Sequence, residues 1–72
     1  MKKTNRDKYW VVDQIEMRLR EKKDVLDWFL AMNYDVDELN RNYDRYIESD
    51  YFKADPIGTL CSIIEEDYEE SK

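Results

Sequence analysis

Eighteen carboxylates, twelve cations, one thiol and no imidazole form the reactive stock of this 72-residue chain. Histidine, the usual base that activates a serine or cysteine, is missing, no nucleophile has another plausible base nearby, and Cys61 stands alone. A zinc site needs several sulfur or nitrogen ligands, which this composition cannot supply. With one glycine there is also no glycine-rich loop to cradle a phosphate. Asp35-Val36-Asp37-Glu38 alternates oxygen ligands but lacks the loop glycine and the later bidentate glutamate of an EF-hand. The chain is therefore expected to be non-enzymatic, with no cofactor and no metal. What its carboxylates can do is recognise positive charge.

Those carboxylates are unevenly placed. Residues 1–23 hold eight of the twelve basic side chains and four of the eighteen acids, which leaves the rest of the chain strongly negative. The acids culminate in Glu65-Glu66-Asp67-Tyr68-Glu69-Glu70. On a helix, Glu65/Glu69 and Glu66/Glu70 are like-charged neighbours, each pair costing about 0.2–0.5 kcal/mol. Negative charge in a last helical turn also opposes the helix dipole, by up to ~1 kcal/mol per group. A sequence that breaks local rules in this way points to function. The candidate acidic contacts are Glu65, Glu66, Glu69 and Glu70, with Asp37, Asp44 and Glu48 from an earlier acidic face. Trp10, Met17, Tyr34, Tyr51 and Phe52 fall in connectors or off the apolar stripes and are the aromatic and apolar candidates. The basic counterpart is Arg18, Arg20, Lys22 and Lys23.

Four helical segments would position these groups. Thr4 with Asp7 has capping-box-like spacing for a first helix over about 5–23, in which Val11, Val12, Ile15 and Leu19 share a face and Trp10 and Met17 lie opposite. Asp24 would cap a second helix over 25–32, apolar nearly all round and so expected at the centre of the fold. Asn33 suits a left-handed position after it. Asp35 and Glu38 open a third helix whose Val36, Leu39, Tyr43, Tyr46 and Ile47 lie in one stripe. Its outer face places Asp37, Glu38 and Asp44 to pair with Arg41 and Arg45. Tyr51-Phe52-Lys53-Ala54 is a connector, extended or a single turn. Asp55-Pro56 opens a fourth helix with Ile57, Leu60, Cys61, Ile64 and Tyr68 on one face and Ile63 off it. The fold class is all-α, a compact bundle of three to four short helices in one domain spanning 1–72, frayed at 1–4 and 69–72.

The second and third segments have the outline of a helix-turn-helix. The would-be recognition helix opens with Asp35, Asp37 and Glu38, which would repel phosphates, so an ordinary helical hairpin is the better expectation. In size, charge and absence of catalytic groups the chain is similar to the small acidic inhibitors that phages and mobile elements direct at nucleic-acid enzymes, DNA mimics acting on restriction or CRISPR nucleases among them. That likeness implies a basic, nucleic-acid-binding enzyme as partner. The alternatives are a small dimeric DNA-binding regulator using the basic first helix, and a protein that self-associates, basic first helix on acidic half. Met-Lys-Lys-Thr is followed by no apolar run and no segment is long enough to span a bilayer, so a cytoplasmic protein without membrane contact is expected.

Overall fold

Two aspartates start the two longest helices. Asp35 accepts the backbone N–H groups of Asp37 (3.0 Å) and Glu38 (3.3 Å), and α3 follows over Val36–Ile47. Asp55 accepts the Gly58 N–H at 3.1 Å, Pro56 fills the first helical position, and α4 runs over Pro56–Ser71. Each cap satisfies a donor that the helix itself leaves unpaired. Asn33 takes the left-handed conformation (φ 61°) between α2 and α3. A Cβ at Gly58 would meet the Asp55 carboxylate and lie 3.2 Å from Arg18 Nη1, so a larger residue there would push that carboxylate off its place at the cap.

The computed structural model describes residues 7–72, and among these there are four helices and no strand, an all-α bundle. α1 spans Trp10–Leu19 and α2 spans Lys23–Ala31. The expected Thr4 cap lies outside the described residues. At the other end α1 stops four residues sooner than its periodicity suggested. The Lys22 N–H bonds back to Leu19 O at 2.8 Å, and Lys22 leaves helical geometry (φ −117°, ψ 75°). The reason is tertiary. In one continuous helix Leu19 and Val25 would point to different sides, since six residues advance about 240° beyond a full turn. The break lets both enter the core, where they are 1% and 8% exposed. Asp24 consequently lies inside the first turn of α2 and not at its cap, which Lys22 occupies without a side-chain bond.

α2 is not the central helix. Only Val25 and Phe29 are buried on it, whereas Leu30 and Met32 are 46% and 52% exposed. α4 takes the central place and packs against α1, α2 and α3, while α1 packs against the other three. α2 and α3 do not pack backbone to backbone, so they form neither a helix-turn-helix nor a tight hairpin. The core comprises Val11, Val12, Ile15 and Leu19 from α1, Val25 and Phe29 from α2, and Ile57, Leu60, Cys61 and Ile64 from α4. Each such aliphatic side chain contributes about 1.5–3 kcal/mol on burial. α3 buries no residue fully; Leu39, Tyr43 and Tyr46 lie half-buried over the core. Asn40 Nδ2 fastens α3 to the chain before α1 by donating to Lys8 O at 2.9 Å.

Candidate protein-docking surface

α4 places its acids by simple helical geometry. Ser62, Glu65, Glu66, Glu69 and Glu70 follow one another at three- and four-residue spacing, so they form a single outward stripe opposite the buried Ile57, Leu60, Cys61 and Ile64. The helix is continuous through Ser71, so all four glutamates are placed by helical backbone, at the end where the dipole disfavours them. They line one wall of an open groove of about 510 Å³ whose other wall is Lys22 and Val25. Lys22 Nζ meets both oxygens of Glu65 at 3.1 Å, and Lys72 lies 3.8 Å from Glu69. Glu66, Asp67 and Glu70 form no ion pair among the described residues. The groove therefore carries a net negative charge even with Lys22 across it.

The other acidic candidates sit on α3. Asp37 and Glu48 are exposed, and Asp44 is half-buried with interaction partners of its own. The expected pairing with Arg41 and Arg45 does not form; neither arginine makes an ion pair among the described residues. These α3 acids are on a different helix from the α4 stripe and do not line its groove.

The basic cluster is largely taken up within the molecule. Arg18 reaches Asp55 with Nη2–Oδ1 at 2.9 Å and Nη1–Oδ2 at 3.5 Å. Lys22 holds Glu65, and Lys23 Nζ lies 3.0 Å from Asp27 one turn on. Of the four, only Arg20 makes no ion pair among the described residues. The Arg18 guanidinium, followed by the Gly58 N–H, holds the Asp55 carboxyl below its usual range. Arg18 is shifted upward by the same bond.

Of the aromatic candidates, Trp10 is not on an open face. It is half-buried and meets Tyr43 edge-on at 5.5 Å between ring centroids, which joins α1 to α3. Tyr34 stacks on Phe29 at 4.9 Å, and burial followed by the Glu16 charge pushes its hydroxyl pKa up. Met17 is 56% exposed. Tyr51 is 84% exposed and leans edge-on against Phe52, which in turn contacts Tyr46. The connector is a turn, with Lys53 N–H bonded to Ser49 O at 3.0 Å, and its two aromatics form one surface ladder.

Cys61 is buried, its Sγ 3.9 Å from Ile15 O, and loss of solvent pushes the thiol up to about 11. A thiol so protonated in an apolar wall is a packing residue. No group of three or more metal-ligating side chains converges among the described residues, and no helix there is long and apolar enough to cross a membrane. Sequence reasoning gave no role to Met32 and Ile63. Both are exposed and line a second groove, between α2, α3 and α4. The available signal was that Ile63 falls off the α4 core stripe and Met32 ends a helix apolar on every side.

No family model, no curated protein and no solved structure matches the chain. The class that fold and site define is an acidic all-α bundle with a carboxylate-lined groove.

Proposed function

We propose that the protein is a non-enzymatic docking module. It sets the Glu65, Glu66, Glu69 and Glu70 stripe of α4 against a basic surface of a partner protein, a surface that otherwise binds nucleic acid. The observation carrying this reading is that Glu66 and Glu70 stand on the α4 stripe without an ion pair among the described residues, at a helix end where their charge costs stability. The helix rises about 6 Å between Glu66 and Glu70, a spacing on the scale of successive phosphates along a strand. Complementary fields would speed the encounter and make it sensitive to salt.

The internal pairing of Arg18, Lys22 and Lys23 favours this reading over DNA binding by the first helix, because phosphates would have to displace carboxylates already in place. Charge reversal tests it. Glu66→Lys, Glu69→Lys and Glu70→Lys together, sparing Glu65 and its bond to Lys22, should remove partner capture and leave the helical CD signal intact. Unchanged capture by that triple variant overturns the proposal.

A further inference from the structure

The second groove has a chemistry distinct from the first. Its walls are Trp28 of α2, Met32 at the C-cap of that helix, Leu39 of α3 and Ile63 of α4, over a floor that includes the Phe29–Tyr34 stack. Met32 and Ile63 are 52% and 40% exposed, two large apolar side chains left in water along this groove. Every charged side chain lining the groove is acidic: Asp35, Glu38 and Asp67. Glu38 and Asp67 form no ion pair among the described residues. The groove holds about 280 Å³, below the ~300–1,000 Å³ of a site that encloses a small molecule. It is the right scale for one or two side chains of a larger partner.

Resting on the reading of the chain as an acidic docking module, we propose that this groove takes a short cationic amphipathic segment of the partner protein. One aliphatic or aromatic side chain of that segment enters beside Met32 and Ile63, and its lysines or arginines lie on Asp35, Glu38 and Asp67. Charge complementarity chooses this occupant. An apolar anchor alone would leave three rim carboxylates facing it, and an acidic segment would be repelled by them. Apolar burial supplies affinity and the rim supplies orientation, the division of labour seen when a helix lies in a groove. The α4 stripe would then be a separate contact on the same partner.

Trp28 reports on the groove directly. In a Trp10→Phe background, where Trp28 is the sole tryptophan, the probe is a synthetic tryptophan-free Lys/Leu amphipathic peptide. Titrating it should give a saturable change in emission. Met32→Gln with Ile63→Gln should weaken binding about tenfold, the loss expected for two half-exposed apolar side chains. Both positions are solvent-facing, and far-UV CD verifies that the variant folds. Glu38→Gln with Asp67→Asn should weaken it several-fold at low salt and little at high salt. The Glu66, Glu69 and Glu70 reversals should leave this Trp28 signal in place, so loss of the α4 function and loss of the groove are read separately. Three results would overturn the proposal: no saturable change, equal binding of a peptide whose leucines are replaced by serine, or an emission change produced by raising protein concentration alone. The last would assign the groove to a second copy of the chain.

Discussion

Replacing Glu70 by lysine should make this protein more stable and less able to bind. Glu70 lies in the last turn of α4, four residues after Glu66 on the same stripe, and neither residue has an ion-pair partner among the described residues. The substitution removes a like-charge i,i+4 repulsion of about 0.2–0.5 kcal/mol and installs an attraction of similar size, with glutamate N-terminal to lysine, the better orientation. It also exchanges an anion for a cation at the negative end of the helix dipole, worth about 0.3–1 kcal/mol at an exposed site. Together these give a gain of about 1 kcal/mol, which for a domain of this size raises the Tm by roughly 4–8 °C. Thermal melts followed by far-UV CD at low salt measure it. The gain should fall steeply in 1 M salt, where the Debye length is about 3 Å. A melting temperature unchanged or lowered at low salt would refute the reasoning, because it would mean that the α4 carboxylates carry no electrostatic cost.

Asp55 serves as N-cap and as partner to Arg18, and the two roles separate chemically. Asp55→Ala should cost about 1–2 kcal/mol, and Asp55→Asn, which keeps a capping oxygen, only the ~0.2–1 kcal/mol of the exposed pair; equal losses in urea melts would show the cap to be idle. Because Asp55 is depressed below its ordinary value of 3.8, its ionic contribution is present above that pH and lost as pH falls through the lower folded value. The penalty of Asp55→Asn should therefore shrink in acid and be flat near neutrality. Leu19→Ala, at a site 1% exposed, should cost about 2–5 kcal/mol. That is a large share of the ~4–11 kcal/mol available to a domain of this length, whereas Leu30→Ala on the exposed side of α2 should cost under ~1 kcal/mol. Cys61 should react with a thiol reagent at least ~100-fold more slowly in the folded chain than in urea, since its raised pKa leaves little thiolate; comparable rates would contradict its burial.

The parts of the fold legible in the sequence are those fixed locally. Asp35 and Asp55-Pro56 mark helix starts through bonds to residues two or three positions away, and Asn33 marks a reversal through its own φ. The core faces of α1 and α4 followed from periodicity, because Val11, Ile15, Leu19, Ile57, Leu60 and Ile64 repeat at helical spacing. The end of α1 was not legible. Basic, helix-favouring residues continue through Lys23, and only the need to bring Leu19 and Val25 to the same core breaks the helix. The place of α2 was hidden for a related reason. An all-round apolar helix reads as central, but here two of its apolar residues line the core and others wall a groove. The bonds joining Arg18 to Asp55 and Lys22 to Glu65 span 37 and 43 residues, and no local pattern announces them. Within the candidate site, the α4 stripe was visible as an electrostatic anomaly, while Met32 and Ile63 acquired meaning only when α2 and α4 were brought to one groove.

The most direct measurement is a paired capture experiment with wild-type protein and the Glu66→Lys, Glu69→Lys, Glu70→Lys variant. Both are immobilised in nuclease-treated lysate at low salt, eluted with a salt step and quantified by mass spectrometry. The account predicts a basic nucleic-acid-binding protein that is enriched on the wild type, lost from the variant and released by salt, and whose binding to its own nucleic acid the free wild-type protein inhibits in competition. The same proteins on both surfaces, or partners that vanish with nuclease treatment, would contradict it.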